Sequence, residues 1–568
     1  MNRTRRFVIA LCIILVAAMW NAPATLGKAA PIREFSIASG DVDQTSIILW
    51  AHGADKGAEI VFNITKFDTK DQAGMTASAT VTDEWQPVKV EIKGLEAGTR
   101  YRYTVTDKKT NTQKEGIFKT PAAAGKHVGL RFGVSGDWRQ ELLPYPSIRN
   151  VADRNLDFFI AEGDTIYADY PSPDVPAKSA TTLAEYRMKH NENFTTRGGL
   201  NTWPGVRAST AFYATIDDHE VVNDFAGSAP AGSDERFDKT GKYLTDSNLF
   251  KNGLQAFLEY YPIRDERWKD ADARYNDKPN LYRYRTFGDD AAMFLLDSRT
   301  FRDEEVPTIP FNKVTDKDEI EKFNKAAFDP ARTLLGKPQL AKLKEDLLRA
   351  QKAGVTWKFI LNPEPIQNLG VLNAQDRWEG YMAERADVLK FITENKIDNV
   401  VFITADFHGT FVNNVFYQTE PGAKSIPANG SWEIITGAVA FDAPFGPTVI
   451  DLAADAGLLK PEQKALYNFA PLAQKDTFVK TLLNTQIKFY GFDPLGLEDS
   501  GIDFKLLKGD WVATHIYGWT EFEIDATTHE LLVTTYGVPW YTEKQATEPT
   551  KIAALQPTVY QQFSVKAK

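Results

Sequence analysis

The sequence predicts a layered α/β domain flanked by helices and preceded by a small all-β sandwich. Three observations carry that reading. Residues 35–119 alternate in short strand-like runs broken by turn residues. After Val128 the apolar runs become continuous, as in strands buried on both faces, and helical periodicity appears between some of them, as at 339–352 and 379–394. Six of those runs end in a burst of polar residues. In open α/β sheets ligands gather at the carboxyl ends of strands, so these bursts mark the edge where chemistry is expected.

Taken in order, Arg3, Arg5 and Arg6 precede an apolar run from Phe7 to Trp20, and Ala22-Pro23-Ala24 follows. This pattern predicts a signal peptide over residues 1–28, hence export to the periplasm or the extracellular space, with no stable membrane span after cleavage. An uncleaved anchor is the alternative, and the Sec or twin-arginine route stays open. Strands are expected at Ser36–Ser39, Ser46–Trp50, Glu59–Asn63 and Val88–Ile92. The stretch Leu95–Val105, with Tyr101 and Tyr103, looks like the tyrosine corner of a fibronectin type III or Ig-like sandwich, here placed at 33–120. A linker at Pro121–Gly125 leads into a domain expected over 128–545, with a helical insertion at about 451–506 and an extension at 546–568. The insertion and a polar loop at 227–242 are either gating elements or decoration.

The single cysteine, Cys12, lies in the predicted signal, so no disulfide or thiolate is available to the remainder. A metal there must be held by oxygen and imidazole, which suits hard cations. With 66 Lys+Arg against 76 Asp+Glu, the net charge of −10 argues against bulk nucleic-acid binding. An anionic substrate then needs a locally positive site.

The strand-end bursts are Ser135-Gly136-Asp137, Glu162-Gly163-Asp164, Asp217-Asp218-His219-Glu220, Asp297-Ser298-Arg299, Asn362-Pro363-Glu364 and Ala405-Asp406-Phe407-His408. Gathered at one edge, that many carboxylates repel one another unless cations hold them ionised. Asp164 and Tyr167, three residues apart, offer a carboxylate and a phenol on one turn; taken alone, the pair is more often a helix cap and a core tyrosine. His127 falls in the linker, and His190, His515 and His529 stand singly, with ordinary surface or core roles expected.

The order of these strings resembles the scattered metal motifs of calcineurin-like metallophosphoesterases. Together with Ile37–Asp41, Asp217–Asn223, Leu296–Arg299, Phe301–Asp303, Trp378–Tyr381, Arg385 and Asp406–His408, the chain resembles the alkaline phosphatase D (PhoD) family. The resemblance implies a calcineurin-like layered sandwich and an alkaline phosphatase/phosphodiesterase that hydrolyses phosphate monoesters or diesters with metal-activated water, in phosphate scavenging. It implies that Asp164 bridges two cations, that Asp137, Tyr167 and His408 hold Fe3+, and that Asp218, Asn223 or both, with Asp406, hold Ca2+. Mn2+ or Zn2+ are alternatives, because Ser135-Gly136-Asp137 stands where the family pattern has a cysteine ligand. His219 corresponds to the catalytic histidine. Arg299 or Arg302 would clamp phosphate oxygens, or merely pair with nearby aspartates. Rival readings are a phosphodiesterase of the phospholipase D type, acting on lipid or teichoic-acid-like diesters, and a non-catalytic extracellular binding protein on a degenerate phosphatase fold.

Overall fold

The computed structural model describes residues 31–568 apart from 69–73, 311–312, 314–315, 371–373, 456, 458, 490 and 492–493. The expected signal peptide at 1–28 lies outside the described residues. Residues 33–568 form one compact unit, a mixed α/β fold with several sheets.

The N-terminal region is all β: β1 Ser36–Gly40, β2 Ser46–His52, β3 Glu59–Lys66, β4 Met75–Thr80, β5 Val88–Lys93, β6 Arg100–Asp107 and β7 Thr112–Lys119. Its strands divide between two sheets. β4, β3, β6 and β7 make a four-stranded sheet of their own, whereas β5, β2 and β1 extend a much larger one. The Tyr101 hydroxyl accepts a hydrogen bond from Glu96 N at 2.8 Å.

Next come β8 Leu130–Trp138, β9 Phe158–Glu162, α1 Leu183–Glu192, α2 Thr202–Ser209, β10 Ala211–Thr215 and α3 Asn248–Tyr260. A second series follows, with β11 Arg283–Phe287, β12 Ala291–Leu295, α4 Lys317–Ala327, α5 Lys337–Lys352, β13 Trp357–Leu361, α6 Met382–Glu394 and β14 Val400–Thr404. Then come β15 Thr410–Tyr417, β16 Ile426–Ile435, β17 Ala438–Ala440, α7 Phe445–Asp455, α8 Pro461–Phe469 and α9 Leu472–Phe489. The chain closes with β18 Phe504–Lys508, β19 Val512–Ala513, β20 Ile516–Ile524, β21 Leu531–Pro539 and β22 Thr558–Val565.

The large sheet runs β18-β22-β21-β20-β8-β9-β10-β1-β2-β5, with β17 also paired to β8, and the other runs β11-β12-β13-β14-β16-β15-β19. The pairs β8–β9, β9–β10, β12–β13 and β13–β14 are parallel, and all five residues of β9, β10, β12, β13 and β14 are buried. This is why their sequences are continuous apolar runs. One core joins the facing sheets through Phe132, Val134 and Ile160 on one side and Phe359, Leu361 and Ile403 on the other. Phe257 of α3 and Val206 of α2 pack on the outer face of the first sheet, Leu343 of α5 and Leu389 of α6 on that of the second.

Two expected boundaries fall inside the large sheet. Ser39 and Gly40 of β1 pair in parallel with Ala211 and Phe212 of β10, so the N-terminal region is stitched to the following one by main-chain bonds. At Gly40 a Cβ would lie 2.4 Å from the Phe212 carbonyl oxygen, which restricts this crossing to glycine. The C-terminal stretch carries β22, which lies between β18 and β21. The stretch 451–506 holds α8, α9 and the end of α7; its Tyr467 and Val479, with Ile450 just before it, cover Phe407 and Phe411 beside the strand-end edge. Among the described residues no helix is long and apolar enough to cross a membrane.

Candidate metal centre

Four of the six polar bursts begin one or two residues after a strand end, one begins on the last residue of β9, and the sixth closes β8. The backbone there is unusual. Asp137, Asp164, Asp406 and His408 have φ of 61°, 49°, 64° and 54°. L-residues rarely occupy this left-handed region, and such strain concentrates where side-chain direction matters more than backbone comfort. The strand ends also approach closely: a Cβ on Gly136 would lie 2.9 Å from that of Ala405, and one on Gly163 2.7 Å from that of Asp217.

These turns bring together side chains that are distant in sequence. The Tyr167 hydroxyl lies 3.2 Å from His408 Nε2 and 3.4 Å from Asp137 Oδ1, and His408 Nε2 lies 3.3 Å from Asp137 Oδ1. Asp137, Asp164 and His408 form one cluster of potential cation donors; Asp164, Asp218 and His219 form a second. Asp164 belongs to both. A third cluster joins Asp218, Asp224 and Asp376. Asp406 belongs to none of the clusters found among the described residues. Asn223 is half-buried, and its backbone N–H donates to Asp169 Oδ2 at 2.9 Å.

The electrostatics favour cation binding. Burial, then Asp218 and Asp217, push the Asp164 carboxyl well above its usual range. Burial, with Glu364 and Asp217, does the same to Asp406. Burial and the Asp164 carboxylate drive the Tyr167 phenol up. Asp137 Oδ2 and Asp218 Oδ1 are shielded from solvent without a hydrogen-bond partner. Unpartnered buried carboxylate oxygens are costly, and a cation is the natural partner for a set of carboxylate, phenol and imidazole donors. The residues therefore fit hard cations.

His219 is buried beside this centre. Its Nδ1 lies 2.6 Å from Asp169 Oδ1 and its Nε2 3.9 Å from Asp218 Oδ1. Burial opposes the imidazolium, but Asp218 and Asp169 outweigh it and raise the pKa to about 9. The same Asp169 therefore binds His219 and the Asn223 backbone, fixing two of the predicted site residues. Sequence reasoning missed Asp169, whose only signal was its place two residues beyond Tyr167. Phe441, also missed, stacks on the His408 ring with centroids 3.5 Å apart and lies 5.2 Å from the Tyr167 ring.

Arg299 and Arg302 take the second of their two expected roles. Both are fully buried. Arg299 binds Asp217 at 2.5 Å, Glu364 at 2.5 Å and both Asp376 oxygens at 2.7 and 2.8 Å. Arg302 reaches Asp376 and Glu364, each at 2.7 Å. Their donors are engaged by carboxylates, so they brace the acidic cluster rather than face outward for phosphate. Asp376 had no strand-end signal and is reached only through the fold.

Of the single histidines, His190 is buried and stacks on Tyr260. His515 lies 2.7 Å from Asp476 Oδ1 and 2.5 Å from the Tyr467 hydroxyl, tying α8 and α9 to the start of β20. His529 is not solitary: it meets His127 and Asp290.

Fold and site together define a layered α/β protein whose strand ends assemble clusters of donors able to hold cations. Comparison with known proteins gives this class a family. Residues 134–474 match the PhoD-like phosphatase family and residues 21–122 match its N-terminal domain. The chain belongs to the PhoD-like phosphatase family. It is 26% identical over 432 residues to alkaline phosphatase D of Bacillus subtilis (strain 168), covering 69% of this chain and 67% of that protein. A solved structure of PhoD shares the fold with a TM-score of 0.66 at 19% identity, over 94% of this chain and 90% of that one.

Proposed function

We propose that the protein is an exported, metal-dependent phosphoesterase that hydrolyses phosphate monoesters, diesters or both. The observation that carries this reading is the sharing of Asp164 between two buried donor clusters at converging strand ends. Cations bound there would neutralise the carboxylates, activate water and balance the charge of a phosphoryl group. Asp137, Tyr167 and His408 would hold one, with Fe3+ favoured by the phenol; Asp218, Asn223 or both, with Asp406, would hold the other, with Ca2+ favoured. His219, oriented by Asp169, would hydrogen-bond a phosphoryl oxygen or protonate the leaving group. Arg299 and Arg302 would keep Asp217, Glu364 and Asp376 in place behind the centre. The calcineurin-like description of the paired sheets and the fibronectin- or Ig-like description of the N-terminal strands belong to the same proposal. Export rests on the N-terminal pattern of basic, apolar and small residues.

Purified protein should hydrolyse p-nitrophenyl phosphate or bis-p-nitrophenyl phosphate, lose that activity on chelation, and regain it with metal. The ratio of the two rates separates a monoesterase from the diesterase alternative. Inactivity towards both, in protein shown to be metal-loaded, would sink the proposal. A visible charge-transfer band lost in Tyr167→Phe would identify a ferric ion; its absence from active protein would remove iron alone.

A further inference from the structure

Three residues unused by the reading above meet at the opposite edge of the sheets. His127 lies on the linker before β8, Asp290 in the turn between β11 and β12, and His529 in the turn between β20 and β21. One donor atom of each lies within 4.8 Å of the other two. The cluster adjoins the start of β8, whereas Asp137 lies near its end. Seven residues of strand at about 3.3 Å each separate the two levels by roughly 23 Å.

Asp290 is fully buried. Its Oδ2 accepts hydrogen bonds from Val128 N at 2.8 Å and Gly129 N at 2.9 Å, which fixes the carboxylate. Its Oδ1 faces both imidazoles, with His127 Nδ1 at 3.0 Å and His529 Nδ1 at 3.9 Å. The second distance is too long for a hydrogen bond. His529 Nδ1 is nevertheless shielded from solvent and has no partner. His529 is held in this direction: φ is +59°, and its carbonyl accepts from Trp357 Nε1 at 2.9 Å. The rings lie 4.3 Å apart and inclined by 51°, so they converge on the carboxylate without stacking flat.

A tetrahedral cation bound at about 2.0–2.1 Å needs donors roughly 3.3 Å apart. The separations of 3.0 and 3.9 Å bracket that value, so small ring rotations would close the triad. Two imidazoles and one carboxylate suit a zinc-type ion far better than calcium or magnesium. The histidine side chains keep about a third of their surface exposed, leaving a fourth position for water.

We propose that His127, Asp290 and His529 form a structural site for a zinc-type divalent cation, independent of the catalytic centre, that fastens the linker to two β-turns. Full-length protein dialysed against Zn2+ should retain one more zinc per chain than His127→Gln/His529→Asn. Asparagine tolerates the left-handed backbone at 529 better than most residues, so the turn should survive. Zn2+ should also raise Tm more in the unaltered protein than in the variant, while phosphate-ester hydrolysis stays the same in both. The comparison is repeated in an Asp164→Asn background, where zinc bound at the catalytic centre no longer dominates. Should the double variant fail to fold by near-UV circular dichroism, His127→Gln alone, on the exposed linker, replaces it. Equal zinc content and equal Tm response in folded protein would overturn the proposal, leaving a hydrogen-bonded ion pair only.

Discussion

Asp41 and Asp164 are both buried carboxylates on turns, yet the protein treats them in opposite ways. Asp41 is surrounded by guanidinium groups: Arg283 at 3.0 Å, Arg285 at 2.7 Å and Arg264 at 3.4 Å. Burial penalises its charge, but Arg283, Arg285 and Arg264 overcome that and hold the carboxyl far below the usual range. Asp164 has carboxylates for neighbours, and burial with Asp218 and Asp217 raises it. Each would be costly to bury alone. The chain supplies the countercharge at Asp41 from its own sequence and leaves the Asp164 cluster short of it. Such a cluster, built from residues on separate strands in strained backbone, is what the proposed cation centre would need.

The sharpest way to break this comparison is Asp164→Asn. Removing the carboxylate common to both clusters should lower kcat by about 10^4-fold, or roughly 5.5 kcal/mol, and reduce bound metal. A near-normal rate with full metal content would show that the cluster needs no external charge. Asp41→Asn should act on stability instead, costing about 3–5 kcal/mol in denaturant unfolding by stranding three arginines. Metal content of the folded fraction should be unchanged. Because the folded pKa of Asp41 is depressed, its stabilisation is complete above the unfolded value near 4 and fades as pH falls towards the folded one.

The neutral interior beside α1 gives a pH test of the same sign in a higher window. Burial lowers His52 to about 4, and burial with Arg207 lowers His190 to about 3. The unfolded chain therefore takes up protons first, so stability falls as pH drops from about 6.5 towards 3 and levels off below. Across that range the loss reaches about 3 kcal/mol for His52 and about 5 kcal/mol for His190, and His52→Gln should flatten its part of the unfolding profile. An unchanged slope would show that His52 is not held neutral. The smallest effect is expected at Asp169. Asp169→Asn should reduce kcat about 10- to 100-fold by loosening His219, with metal content intact. Parallel losses of metal and rate would make Asp169 a support of the cation cluster instead.

Much of the donor set was legible because it is local. A continuous apolar run fixes a buried strand, and an acidic or imidazole residue placed just after it must sit at the sheet edge, whatever the remainder of the chain does. Asp137, Asp164, Asp218 and His408 follow from that rule, and Tyr167 from its turn. Residues reached across space were not legible. Asp169 and Asp376 precede or follow no strand, and their importance arises from which loops lie beside His219 and Arg299. His127 and His529 are separated by some four hundred residues and carry no spacing signal.

The sequence by itself determined the strand and helix alphabet, the family, and which carboxylates stand at strand ends. Only the tertiary structure decided that β1 would join β10 in one sheet, that Arg299 and Arg302 would spend their donors on carboxylates, and that His529 would face Asp290. Local patterns reflect burial and backbone preference, which each segment carries within itself. The pairing of charges across the fold depends on sheet order and strand register, which are set by all the segments together.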